Sequence, residues 1–474
     1  MQLFARSCGI PDLLLQPRKG LSHPLYGHAM EGAELGLEGA TPMLLPIPEN
    51  IDEHFGRGPG AKSTREVFHN PAMNGSRTRS VLLMHRLFEL GWLPKGTLRA
   101  LDGLGASGIR ARRWINELPE EMSQRIDAHV CDILPSSLEW ARQNQERFEE
   151  GKELTLIEGD LRARVLSNGW HWIDLDPFGS PVTFLDPVIQ AFARTGILEV
   201  SATDSAALTG SSKGPTMRRY GAVVRTNDWA HDSGLRVLLA NIARVAACHD
   251  RAIEPLLSVW ETHHLRVSVA IRRSKQGASN VEDNIGWRVW DPTPDELKIS
   301  IDAGLHPHGN PEQSQPFCFL PFRHPTSHNI SGKNRRISGP MWIGALHNSD
   351  VLLGFNEETA LRLCVPDTEK LQRWGFDTSK HEELIEESRK NVLRAIRHLQ
   401  EEATVPTNAS LILVDRLHPH VLLQGPPSPR KLAEALTKAG HSSCVAAYPN
   451  PGIRTAAPWS LIHDLSLELT TSKN

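Results

Sequence analysis

Between residues 76 and 275 the chain alternates short apolar runs with stretches whose apolar positions recur every three to four residues. The first is helical, residues 76–90, with Val81, Leu82, Met84, His85 and Phe88 on one stripe and Gly91 as its stop. Strands are expected at 98–101, 128–131, 154–157, 172–175 and 197–202, with helices at 109–118, 136–149, 182–193 and 235–248. Strand following helix on short connections predicts an α/β fold, a mostly parallel sheet wound on both faces. Two further runs, 256–261 and 265–271, are joined tightly enough to form a hairpin, so the last strand should run antiparallel.

Flanking regions differ in texture. Residues 1–60 are rich in Gly and Pro and read as an irregular arm with at most a short strand at 43–47. A polar insertion at 204–232 interrupts the alternation. After about residue 275 the connections become rich in Asn, Pro and His, which marks a boundary between a domain at 61–275 and a C-terminal α+β domain at 276–474. There a helix is expected at 382–399, a strand at 411–414, a helix running from Ser428 and Pro429 to Gly440, and a strand at 445–448.

Composition narrows the class. A chain of 474 residues suits two or three domains, and 39% hydrophobic with 23% charged residues is ordinary for a globular protein. The net charge of -3 gives no global basic field, so a nucleic-acid partner would need a local patch. Six scattered cysteines without a Cys-x-x-Cys pair read as free thiols of a reducing compartment. With no signal-peptide pattern at the start and no long apolar run, the expectation is a cytoplasmic protein without a membrane partner.

The chemistry sits at predicted strand ends. Asp102, Gly103, Gly105 and Gly108 make a glycine-rich turn between the first strand and its helix, where free N–H groups and close backbone approach suit a nucleoside cofactor. Asp132, roughly two dozen residues past Gly108, ends the second strand where a carboxylate takes ribose hydroxyls. Asp160 ends the third and suits an adenine amino group. The fourth ends in Asp174-Leu175-Asp176-Pro177-Phe178-Gly179-Ser180-Pro181. There the Asp176 carboxylate and the Pro177 carbonyl can both accept from one NH2 group while Phe178 stacks on the flat ring that carries it. Asp-Pro also begins ordinary turns, and acidic strand ends are common. Four tips in succession favour the layout of an S-adenosylmethionine-dependent N-methyltransferase over a dinucleotide dehydrogenase, which would leave Asp176-Pro177-Phe178 unexplained. Asp174, two residues back on the same face, reads as support or as a buried charge needing a partner.

Longer motifs carry a family resemblance. Phe68-His69-Asn70-Pro71-Ala72-Met73, Arg77, Gly105 to Arg110, Asp174 to Pro181 and Phe184-Leu185-Asp186 resemble the tRNA guanine-26 N2-dimethyltransferases of archaea and eukaryotes. The likeness continues in Ala202-Thr203-Asp204, Arg219 to Ala222, Gly234-Leu235-Arg236, Ile253 to Ser258, Gly339 to Trp342 with Gly344, and Gly452 to Thr455. It implies a Rossmann-like class I methyltransferase sheet, S-adenosylmethionine as cofactor, tRNA as substrate, and mono- or dimethylation of guanine N2. It also implies that Arg77, Arg110, Asp132, Asp160 and Leu161 line the cofactor site, with the two arginines on the cofactor's carboxylate.

Three positions depart from the family pattern. Ser76-Arg77-Thr78 stands where the family has Asn-Arg-Asp, so an acidic partner near the cofactor is missing. His231-Asp232 replaces His-Glu, and the four-cysteine zinc site of many members is reduced to Cys318, so no metal is expected.

Basic clusters at Arg110, Arg112 and Arg113, at Lys213, Arg218 and Arg219, at Arg272, Arg273 and Lys275, and at Lys333, Arg335 and Arg336 are candidates for tRNA phosphate contact. Surface solvation is the plain alternative. The second domain should grip the tRNA body by shape, and no obligate protein partner is evident. Two other readings stay open: methylation of another nucleobase amine, adenine N6 or guanine N2 of rRNA, and a non-catalytic RNA-binding protein on a methyltransferase fold.

Overall fold

The computed structural model describes residues 33–46, 67–148, 153–261, 264–309, 311–312, 314–323, 336–417 and 425–471. Its strands are β1 (Ala33–Glu38), β2 (Thr41–Pro46), β3 (Leu98–Asp102), β4 (Ile126–Asp132), β5 (Thr155–Glu158), β6 (Trp170–Leu175), β7 (Phe192–Ala202), β8 (Arg251–Glu261) and β9 (His264–Arg273). They continue with β10 (Ile285–Trp290), β11 (Phe317–Pro321), β12 (Ile337–Trp342), β13 (Ser410–Leu413), β14 (Ser443–Val445) and β15 (Gly452–Thr455).

Seven strands form the central sheet in the order β5-β4-β3-β6-β7-β9-β8. From β5 to β7 all pairs are parallel, and β9 is antiparallel to both of its neighbours. The antiparallel strand is thus last in the chain but one place inside the edge, which β8 occupies. Trp170, Trp172, Ile173 and Leu175 of β6 are fully buried, as expected of a strand covered by helices on both faces. Strand order reverses between β3 and β6, and a parallel sheet opens its ligand crevice outside the carboxyl ends at that point. Asp102 and Asp176 stand there.

Several elements differ from the sequence expectation. The arm at 1–60 contains a hairpin, β1 paired with β2, where only a strand at 43–47 was expected; Ile47 and the remainder of the arm lie outside the described residues. Gly39, at φ +60, makes the tight turn that the weak periodicity hid. The hairpin is anchored by Asn144, whose side chain accepts from Leu44 N (2.6 Å) and donates to Leu44 O (3.1 Å). The polar insertion at 204–232 contains helices Ser205–Leu208 and Lys213–Tyr220 and the start of the long helix Ala230–Cys248. Strand β7 begins five residues before the expected 197 because Phe192 pairs with Trp170 across a register shift.

Beyond residue 275 are two three-stranded antiparallel sheets, β11-β10-β12 and β13-β15-β14. Of the helices there, His381–Ile396 and Pro429–Lys438 fall where periodicity indicated, whereas Pro294–Asp302, Glu357–Cys364, Thr368–Trp374 and Trp459–Thr471 were not expected. The apolar core runs on without a break from Leu238 and Ile242 of the long helix to Phe317, Met341, Leu411 and Ile453. On the other face Leu82, Leu83 and Trp114 share a core with Phe355, Val392 and Ile396. Among the described residues no helix is long and apolar enough to cross a membrane.

Candidate active site

Strand β6 ends at Leu175 because Pro177 has no N–H for the ladder and holds Asp176 extended. Asp174 is completely buried, Asp176 partly, and the Phe178 ring is 76% exposed. Phe68 meets that ring edge to face at 4.7 Å. The loop is fastened from behind. Gly179 N donates to Thr203 Oγ1 (2.7 Å), Thr203 N donates to Gly179 O (2.9 Å), and Ser180 Oγ shares a hydrogen bond with the Tyr220 hydroxyl (2.9 Å). Tyr220 in turn donates to Asp204 Oδ1 (2.8 Å), and burial with Asp204 beside it pushes the phenol well above its ordinary pKa, so it stays a donor. The Phe178 ring therefore stays in water beside Phe68, on a loop fixed from behind.

The glycine turn packs directly on this tip. Gly103 N donates to Asp174 O (2.9 Å), and a Cβ on Gly103 would stand 2.7 Å from that oxygen. On Gly105 it would strike Val130 at 2.6 Å and Asp102 at 2.9 Å, so at these positions the protein's own packing requires glycine. Gly108 sits at φ +69 before the helix Ile109–Glu117. Asp132 accepts from Ala106 N (3.0 Å) and Leu134 N (2.8 Å), one bond on each oxygen, which leaves lone pairs for ribose hydroxyls. Beside it Ile133 is 61% exposed, an apolar surface at the same strand end that a pattern of acidic tips does not signal. Asp160 caps a short helix and pairs with Arg162 (Nη2 to Oδ2 2.5 Å) at the surface, while Leu161 is buried in the core.

Charge is concentrated under the turn. Arg110 donates through Nη2 to Asp176 Oδ2 (2.9 Å) and stands 3.1 Å from Asp174 Oδ1 through Nε. Its Nη1 is buried with no hydrogen-bond partner, an orphaned cationic donor that a carboxylate would satisfy. That fits an S-adenosylmethionine carboxylate. Burial raises the Asp102 carboxyl to about 7, with Asp174 and Asp176 adding to the rise and Arg110 and Arg77 opposing it.

Arg77 is not without an acid. The hairpin supplies one: Glu38 accepts from Arg77 Nε (2.5 Å) and Nη2 (2.6 Å). Thr78, at the departed position, accepts from Arg113 Nη2 instead (2.9 Å). Burial alone would raise the Glu38 carboxyl, but Arg77, His69 and Arg113 bring it down to about 2. Nothing in the local sequence links positions 38 and 77, since the pairing depends on how the hairpin folds over the helix Asn74–Glu89.

The basic clusters fare unevenly. Arg110, Arg112 and Arg113 are buried, the last two against Pro42 O (2.7 Å) and Glu117 (2.8 Å), so they cannot follow phosphates. Arg272 and Arg273 stand at the far end of the sheet, because β9 runs antiparallel and Arg272 pairs with Thr195 rather than near Ala202; they do not flank the site. Lys213 and Arg218 are exposed on the helix that ends in Tyr220, Arg219 pairs with Asp204 (2.9 Å), and Arg336 is held by Glu296 (2.9 Å). Lys333 and Arg335 lie outside the described residues.

His231 packs on Trp260 (ring centroids 3.6 Å apart), and Asp232 takes part in a buried hub. Asp232 binds Arg236 (2.9 Å), Arg288 and Arg454 (3.9 Å), joining the long helix to β10 and β15. These arginines hold its carboxyl far below the usual range against the opposing effect of burial.

The model of the N2,N2-dimethylguanosine tRNA methyltransferase family matches residues 53–466. A tRNA (guanine(26)-N(2))-dimethyltransferase of Thermoplasma acidophilum is 32% identical over 224 residues, 47% of this chain and 63% of that protein. The Pyrococcus furiosus protein of that name is 29% identical over 437 residues, 87% of this chain and 97% of its own. Trm1 from Pyrococcus horikoshii, solved with S-adenosyl-L-methionine, shares the fold at a TM-score of 0.64 and 21% identity, over 91% of this chain and 99% of that one. With a match across most of its length, the chain belongs to the N2,N2-dimethylguanosine tRNA methyltransferase family.

Proposed function

We propose that this protein transfers methyl groups from S-adenosylmethionine to the exocyclic N2 amine of guanine 26 in tRNA, twice in succession, in the cytoplasm. The observation that carries the reading is Asp176, a carboxylate held by Arg110 at the reversal point of the sheet, beside the glycine turn. Arg77 and Arg110 would hold the cofactor's carboxylate, Asp132 its ribose, Asp160 and Leu161 its adenine, with Asp102, Gly103, Gly105 and Gly108 shaping the turn. Bound there, S-adenosylmethionine supplies an electrophilic methyl.

The amine of guanine is a weak nucleophile because its lone pair is delocalised into the ring. Arg110 occupies Asp176 Oδ2, so the other oxygen and the Pro177 carbonyl can accept the two N–H bonds and favour a pyramidal nitrogen. That geometry belongs mainly to the transition state, so its stabilisation raises the rate. Phe178 sets the base plane after the base leaves its stack, and Asp176 takes up the proton the nitrogen loses as the methyl bond forms. After one transfer a single N–H remains to be gripped, and after two there is none. This stops the reaction at dimethylation.

Residues 276–474 would hold the tRNA body by shape, and the exposed Lys213 and Arg218 would meet phosphates beside the flipped base. The test is transfer of labelled methyl to unmodified tRNA followed by digestion to nucleosides. The reading expects label in dimethylguanosine, lost when guanine 26 is replaced. Asp176→Ala should abolish transfer while binding of S-adenosylhomocysteine stays within a few-fold. Label confined to adenosine, or an active Asp176→Ala, would overturn it.

A further inference from the structure

Across the floor of the site the sheet register sets three carboxylates side by side. Asp102 of β3 pairs with Asp174 of β6, and Asp174 with Glu199 of β7. Partners in parallel strands present their side chains on the same face, about 5 Å apart. Asp176 stands two residues beyond Asp174 on that face. Adjacent buried carboxylates repel one another unless cations lie between them. Arg110 reaches this row from the helix Ile109–Glu117, Arg77 acts on Asp102 from the helix Asn74–Glu89, and the remaining cation, Arg266, comes from β9.

Arg266 is buried and engages three partners with one guanidinium: Asp174 Oδ2, Glu199 Oε1 (3.1 Å) and Ser201 Oγ (2.8 Å). Glu199 is fixed in turn by Ser268 Oγ (3.0 Å) and by Ser80 Oγ, which itself accepts from Trp114 Nε1 (3.0 Å). Every link from the covering helix to Asp176 is therefore an ion pair or hydrogen bond: Ser80, Glu199, Arg266, Asp174, Arg110, Asp176. Arg110 is the branch point. Whether it leans toward Asp174 or toward Asp176 depends on how completely Arg266 neutralises Asp174.

We propose that Arg266 is a positioning residue for methyl transfer, acting through Asp174 and Arg110 to hold Asp176 aimed at the amine. The proposal rests on the reading of Asp176 as the amine acceptor. With Arg266 in place Asp174 is satisfied and Arg110 can spare Nη2 for Asp176. Without it Arg110 is drawn onto Asp174, and Asp176 loses both its anchor and its nearest cation.

Two variants separate charge from geometry. Arg266→Met removes the cation, so transfer at saturating S-adenosylmethionine and tRNA should fall about 30-fold while both Michaelis constants stay within about twofold. Arg266→Lys keeps the charge but not the three-pronged grip, and should lose about tenfold in rate, again with the Michaelis constants unmoved. Arg288→Lys, which alters an equally buried arginine paired with Asp232, should lower the melting temperature and leave the turnover rate unchanged. If Arg266→Met fails to fold, the rate of Arg266→Lys decides the matter. Wild-type rate in Arg266→Lys, or a loss in Arg266→Met carried wholly by the Michaelis constants, overturns the proposal if Asp176→Ala is inactive. An active Asp176→Ala removes the reading beneath it.

Discussion

Asp102 shows how a single titrating group can connect the site to stability. Its carboxyl is buried and raised to about 7 from an ordinary 3.8. Between those values the folded protein keeps a proton that the unfolded chain has lost, so stability falls as pH rises through that window and levels off above it. Glu38 has the opposite sign: lowered to about 2 from 4.5, it contributes stability above its ordinary pKa that is lost as pH falls toward 2. We predict that Asp102→Asn raises the melting temperature of the ligand-free protein more at pH 8 than at pH 5, because the amide carries no charge to bury. An equal gain at both values would mean that Asp102 does not hold the proton. Asp102 was readable as a candidate from its place at a strand end. The partner of Arg77 was not, because Glu38 is brought to it by a hairpin whose turn depends on one positive-φ glycine.

At the scale of elements, the helix Lys213–Tyr220 buttresses the Asp176 loop. It ends at Gly221 with φ 59, a left-handed cap that stops the helix just after Tyr220 and leaves the phenol facing Ser180 and Asp204. Removing that hydroxyl leaves two buried partners short of a hydrogen bond, worth about 1–2 kcal/mol. Tyr220→Phe should therefore slow methyl transfer roughly tenfold at saturating substrates, since a loop misplaced by an ångström costs rate more than affinity. Binding of S-adenosylhomocysteine, measured by calorimetry, should be unchanged. A loss of cofactor affinity instead would show that the helix supports the glycine turn. The sequence suggested only a polar insertion here. A short helix with its apolar positions spent on tethering leaves little periodicity to detect.

For the molecule as a whole, the hub at Asp232 and the continuous core couple the central sheet to everything beyond residue 275. Arg236, Arg288 and Arg454 converge on one buried carboxylate, and Arg454 also meets Glu402 (3.1 Å), which His347 approaches at 2.9 Å. Breaking a buried ion network by neutralising one member costs about 3–5 kcal/mol, because its partners stay buried without compensation. Asp232→Asn should lower the melting temperature by several degrees in a single transition followed by tryptophan fluorescence. Two separated transitions would contradict the shared core. The shortened acid at this position is thus the meeting point of three guanidiniums.

Local pattern alone determined the mostly parallel sheet and placed Asp176-Pro177-Phe178 at a strand end, because both depend on periodicity and on residues adjacent in the chain. Which acid each arginine meets was decided only by tertiary structure. Arg110 and Arg266 are 156 residues apart and meet through Asp174, whereas Arg112 and Arg113, neighbours of Arg110, turn into the core. A cation's role depends on the acid that the fold places beside it. Sheet register set that distance here: it aligned Asp102, Asp174 and Glu199, and the antiparallel course of β9 carried Arg266 to them while sending Arg272 and Arg273 to the opposite end.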